Sequence, residues 1–145
     1  MAPQLVRMVS INDCQFLDLP GISDQRGALT YLDPVSGFPF TPVRVFYLHS
    51  LPAGARRAGH AVRDCQQLLV MVAGSCTCEV WDGRESATFH LSDARRGILI
   101  PPMIWRELSG FSKDAVCLVL ASRAYDESCY IRNKNAFLAA IQSNG

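Results

Sequence analysis

The residues with the clearest capacity for chemistry fall in one short stretch, Arg56-Arg57-Ala58-Gly59-His60-Ala61-Val62. His60 carries an imidazole, the side chain that titrates nearest to neutral pH and so suits acid/base work. Gly59 beside it permits close approach of the backbone. If the stretch enters the mouth of a barrel, His60 is a proton-transfer group; if it is an ordinary loop, His60 is a histidine held by local hydrogen bonds. The stretch alone leaves both readings open. His90 alternates with the apolar Phe89 and Leu91 and belongs on a surface or rim. The three histidines are not spaced as zinc ligands, and the six cysteines contain no CxxC pair. Cys76 and Cys78 lie two apart, which on a strand points both the same way, and Cys117 sits in an apolar run. Reduced, mostly buried thiols are the expectation.

A chain of 145 residues, 49% hydrophobic and 19% charged, is expected to form one globular domain over residues 1–145. Its net charge of +1 provides no basic face for nucleic acid. The longest uncharged apolar runs, at 68–73 and 116–121, are too short to span a bilayer. Residues 1–8 show no basic segment followed by an apolar one, so the cytoplasm is the expected compartment.

Turn signals recur at short intervals, among them Pro20-Gly21, Asp33-Pro34, Gly74-Ser75, Asp82-Gly83 and Pro101-Pro102. Between such signals lie strand-like runs at 28–32, 43–49, 67–73, 76–81, 87–91, 97–100, 104–108 and 115–121. Short strands at this spacing predict a β-sandwich or barrel rather than βαβ units. Asp82-Gly83 predicts a hairpin with a tight type I′ turn. Only 134–142 reads as helix, with Phe137, Leu138 and Ile141 at helical spacing. Along 43–49, Val43, Val45, Tyr47 and His49 share one face, leaving Arg44, Phe46 and Leu48 on the other.

An ordered series of fragments spans almost the whole chain. It runs from Asp24-Gln25-Arg26-Gly27 through Phe38-Pro39-Phe40, Arg44-Val45-Phe46-Tyr47 and Arg57-Ala58-Gly59-His60-Ala61 to Gln67-Leu68-Leu69-Val70. It continues with Gly97-Ile98-Leu99-Ile100-Pro101-Pro102-Met103-Ile104-Trp105-Arg106-Glu107, Tyr125-Asp126-Glu127-Ser128 and Tyr130-Ile131-Arg132. In this order the fragments resemble the cupin-fold sugar 3,4-ketoisomerases, which act on deoxythymidine-diphosphate-linked 4-keto-6-deoxyhexoses. The resemblance implies an all-β cupin-type barrel (jelly roll) with a short C-terminal helix. It implies proton transfer between C3 and C4 of a dTDP-linked 4-keto-6-deoxy sugar, with His60 as base and Tyr47 as phenolic proton donor in the pocket. By itself Tyr47 suits a subunit contact equally well. The resemblance gives Arg26, Arg44, Arg57 and Arg106 to the diphosphate, and Trp105 to an aromatic wall against sugar or thymine. Glu107 would orient an arginine or the histidine. It also implies a homodimer that exchanges N-terminal strands at 6–11.

Two departures stand out. The family pattern carries His-Ala-His where this chain has His60-Ala61-Val62, and commonly an acid where it has Cys129. Residues two apart on a strand share a face, so an isopropyl group replaces one of two adjacent imidazoles. Two alternatives follow: a binding module that holds the nucleotide sugar without turnover, or an isomerase or epimerase working with one histidine. Metal-binding cupins supply two histidines two apart, a carboxylate and a later third histidine. Here those places hold Val62, Gln66 or Gln67, and Trp105-Arg106, so a metal-free pocket with no cofactor is expected.

Overall fold

Alternation along the strands sorts the chain into two facing layers. The computed structural model describes residues 8–144. β1 (Gln15–Asp18) leads to a hairpin of β2 (Gly21–Asp24) and β3 (Gly27–Thr30). β4 (Arg44–Leu48), β5 (Arg57–Val62), β6 (Gln67–Ala73), β7 (Cys76–Trp81) and β8 (Ser86–Leu91) follow. The chain then forms β9 (Arg96–Ile100), β10 (Trp105–Ser109), β11 (Val116–Ala121), β12 (Tyr130–Ile131) and the helix α1 (Lys134–Asn144). One five-stranded sheet has the order β1-β9-β6-β11-β4 and the other β12-β5-β10-β7-β8, with antiparallel pairing throughout. The two sheets form a barrel, one of the two architectures that the strand spacing predicts and of the cupin type that the resemblance implies.

Between the sheets lies a core that includes Leu69, Met71, Cys76, Cys78, Val80, Ile98, Ile100, Leu108, Cys117 and Val119. β6 is apolar on both faces because both are covered. Leu69 and Met71 point into the barrel, while Leu68 and Val70 point outward beneath Leu17, Leu19, Leu32, Phe38 and Phe40. The other sheet is backed by α1, whose Phe137 lies 5.5 Å from Trp81 and 5.9 Å from Trp105 between ring centroids. Asn133 caps this helix, its Oδ1 accepting from the Ala136 amide at 3.0 Å.

Local differences from the sequence reading have physical causes. The β7–β8 hairpin closes through Asp82-Gly83-Arg84-Glu85, not through a two-residue type I′ turn. The buried Asp82 carboxylate accepts from the amides of Arg84 and Glu85 and from the distant amide of Ile11. Burial pushes its pKa up, but these amides outweigh it and hold the group below the usual carboxylate value. The side chain therefore shapes the turn and pins residue 11 to it. The expected N-terminal strand at 6–11 lies partly outside the described residues; within them, Ile11–Asp13 is a 3-10 turn capped by Ser10. All six cysteines are free, and all but Cys129 are buried. Burial raises the thiol pKa of Cys76 to about 11 and of Cys78 and Cys117 to about 12. Among the described residues, no helix is long and apolar enough to cross a membrane.

Candidate active site

β5 does not run smoothly past β10. Arg106 faces His60 across the ladder while Glu107 faces Ala58, which leaves Gly59 as an extra residue. Ala58 and Gly59 both take the left-handed backbone conformation, at φ 67° and 70°. A bulge of this kind re-aims side chains beside functional sites. After it, Ala61 faces outward under α1, so His60 and Val62 face the barrel.

His60 lines an interior cavity of about 80 Å³ together with Arg57, Gln67 and Arg106 between apolar walls. Arg106 is 1% exposed. Its Nη1 donates to Gln67 Oε1 at 2.7 Å and its Nε to the Ile104 carbonyl at 3.1 Å, while Nη2 has no partner. Among the described residues no carboxylate pairs with it, so Gln67 holds the guanidinium without neutralising it. Burial lowers the pKa of Arg106. His60 Nδ1 is also buried and unpartnered. Burial first, then the guanidinium groups of Arg106 and Arg132, push the His60 pKa down to about 3. At neutral pH the imidazole is therefore uncharged and able to accept a proton.

Beside this cavity opens a larger one of about 490 Å³ at the barrel mouth. Val62, Arg44, Tyr130, Cys65, Cys129 and Ser122 are among its lining residues. Arg44 Nη1 donates to Tyr130 Oη at 3.0 Å, and the Tyr130 ring meets His60 edge-on at a centroid distance of 4.9 Å. Arg132 lies over the same ring at 4.9 Å and forms a bidentate pair with Glu127 at 2.7 and 2.9 Å.

The structure brings His60, Arg57 and Arg106 to one cavity and Arg44 to its neighbour. It does not bring the other expected residues there. Tyr47 is 59% exposed on the outer face of β4, beside Val43 and Val45, because alternation gives the barrel side to Arg44, Phe46 and Leu48. Trp105 and Glu107 flank the inward Arg106 on β10 and therefore point out of the barrel. Trp105 packs on Phe137, and Glu107 pairs with Lys134 at 3.7 Å and Arg56 at 3.9 Å. Arg26 stays at the β2–β3 turn, 86% exposed and paired with Asp24 at 2.7 Å. Among the described residues no group of three or more His, Cys, Asp or Glu side chains is placed to hold a metal.

Residues 12–142 match the family described as WxcM-like, C-terminal (FdtA). The chain belongs to this family. Over 116 residues it is 35% identical to the TDP-4-oxo-6-deoxy-alpha-D-glucose-3,4-oxoisomerase of Aneurinibacillus thermoaerophilus, covering 80% of this chain and 84% of that one. A 3,4-ketoisomerase from Helicobacter canadensis superposes with a TM-score of 0.86 at 34% identity, over 90% of this chain and 98% of that chain. A sugar 3,4-ketoisomerase from Thermoanaerobacterium thermosaccharolyticum, solved with TDP, gives 0.88 at 29% identity over 93% and 98%.

For this WxcM-like chain, sequence reasoning missed Gln67 and Tyr130 as members of the site. Gln67 is the polar first residue of an apolar strand, a signal that was available. Tyr130 sits opposite Val62 only through the β5–β12 pairing, which two-residue β12 does not announce.

The depressed His60 pKa also has a consequence for stability. Its folded value of about 3 lies below the ordinary 6.5, so between those values the unfolded chain binds the extra proton. Stability therefore falls as pH drops from 6.5 toward 3, by at most about 1.4 kcal/mol per pH unit from this one group. Urea melts between pH 6.5 and 4.5 should show that loss, and His60→Asn should flatten it. An equal slope in both proteins would mean that His60 is not desolvated.

Proposed function

We propose that this chain is a 3,4-ketoisomerase of a TDP-linked 4-keto-6-deoxy sugar. The observation that carries the proposal is the pairing, in one cavity of a WxcM-like barrel, of a neutral buried imidazole with an uncompensated guanidinium. Moving a ketone from C4 to C3 requires removal of the C3 proton, stabilisation of the enediolate, and delivery of a proton to C4. His60 takes and returns the carbon-bound proton. The unpartnered Nη2 of Arg106 faces the oxyanion as it develops in a site of low polarity. Arg57 and Arg44, nearer the openings, hold the diphosphate. Arrival of that anion offsets the arginine field and raises the proton affinity of His60. With one imidazole, Val62 and glutamines where metal-binding cupins place their ligands, turnover is metal-independent. The outward row of Val43, Val45 and Tyr47 supports a homodimer, and exchange of N-terminal strands belongs to the same proposal.

The test is an NMR time course with TDP-4-keto-6-deoxyglucose in deuterium oxide. Deuterium should enter at C3 and a 3-keto product should accumulate, both unchanged after extensive chelation. Tight binding with neither exchange nor 3-keto product would identify a binding module, the reading that Val62 favours. Activity lost on chelation and restored by one divalent ion would refute the metal-free mechanism.

A further inference from the structure

The reaction has a second proton problem. The hydroxyl proton on O3 of the substrate must leave and one must arrive on O4, while His60 is occupied with the carbon-bound proton. Val62, two residues along the same face, carries no proton. The register places Tyr130 directly opposite Val62, so both side chains project to the same side of the sheet. The phenol ring also rests against the imidazole at 4.9 Å between centroids.

Several other protic groups around the larger cavity are committed elsewhere. The Tyr125 hydroxyl donates to Glu127. The Asp126 carboxylate accepts from the Ser128 amide at 3.0 Å and the Ser128 hydroxyl at 2.7 Å, and these bonds keep its pKa below the ordinary value. Ser122 Oγ accepts from the Gln66 amide at 2.9 Å and donates to Cys65 Sγ at 3.8 Å. Tyr130 differs from them. Its oxygen accepts from Arg44 Nη1, which leaves the phenolic hydrogen free to be donated. The same guanidinium, with Arg132 over the ring, stabilises the phenolate left behind.

We propose that Tyr130 is the oxygen-side proton carrier of this site, a catalytic residue whose role rests on the ketoisomerase reading. As the C3–H proton moves to His60, its electron pair forms the C3–C4 double bond and the carbonyl pair moves onto O4. O4 takes the phenolic proton of Tyr130. The phenolate then removes the O3 proton, and the O3 pair forms the new C3 carbonyl. The double-bond pair takes the proton held by His60 at C4. Both side chains return to their starting forms, with no oxidant or reductant consumed.

Tyr130→Phe keeps the ring that packs on His60 and removes only the hydroxyl. With TDP-4-keto-6-deoxyglucose in deuterium oxide, C3 exchange should stay within about tenfold of wild type, while 3-keto product formation falls by about two powers of ten or more. KM should change little. That separation of exchange from product is a readout that simple disturbance of His60 would not give. Product formation at the wild-type rate would overturn the role of Tyr130 and leave the isomerase reading standing. Equal losses of exchange and product would also overturn it, reducing Tyr130 to a support for His60. A wild-type protein that neither exchanges nor isomerises the sugar would remove both readings.

Discussion

His60→Asn should lower C3 exchange and product formation together by about two to four powers of ten, with nucleotide affinity nearly unchanged. An amide fills much of the imidazole's space and still forms hydrogen bonds, but it accepts no proton near neutral pH. The imidazole is buried, its Nδ1 is unpartnered and Arg106 helps to hold it uncharged, as the proposed base requires. Affinity should survive because the arginines assigned to the diphosphate, Arg44 and Arg57, are untouched. Titration calorimetry with TDP and the NMR assay would measure the two quantities separately. A variant that binds and turns over like wild type would move the base to another residue.

The second large effect belongs to Arg106. Replacing Arg106 by methionine and Gln67 by leucine together should lower kcat by about two to three powers of ten, the usual cost of losing an oxyanion donor. The same double variant should be as stable as wild type, or more stable by about 1–4 kcal/mol, because a buried charge gives way to apolar packing. Changing Arg106 alone is a poorer test, since it strands Gln67 Oε1, its 2.7 Å acceptor, in an apolar cavity. A histidine titration provides a further check. Arg106 depresses the His60 pKa, so its removal should move that pKa upward. Undiminished turnover would exclude Arg106 from the chemistry. A double variant several kcal/mol less stable would show that the native charge is compensated in the fold.

The barrel was legible because its strands carry alternating or doubly apolar patterns between turn residues. The observed β6 (Gln67–Ala73) and β7 (Cys76–Trp81) have the bounds read from sequence. β1, β2 and β12 are absent from the strands read because they are short and only partly apolar, and β5 (Arg57–Val62) stayed open between strand and loop because Arg57 and Gly59 interrupt its apolar pattern. In the candidate site, the residues His60, Arg57 and Arg106 that share a cavity were legible from motif order. The two-residue period of β10 is equally readable in the sequence. With Arg106 inward, Trp105 and Glu107 had to face α1, so placing all three in one pocket conflicted with strand geometry. The same rule separated Tyr47 from Arg44, and the structure shows that the barrel side belongs to Arg44. Tyr130 was beyond reach, because its position opposite Val62 depends on pairing between segments almost seventy positions apart.

The distribution of thiols makes this molecule its own binding sensor. Cys76, Cys78 and Cys117 are sealed in the core with strongly raised pKa values, whereas Cys129 is half-buried on the wall of the larger cavity. Alkylating reagents react through thiolate and need access, so they discriminate sharply between these positions. A fluorine-bearing or fluorescent tag on native Cys129 would sit on the wall of the cavity that, under the proposed function, holds Arg44 for the diphosphate. Occupancy could then be followed through the tag, with Cys65, which lines the same cavity, replaced by serine.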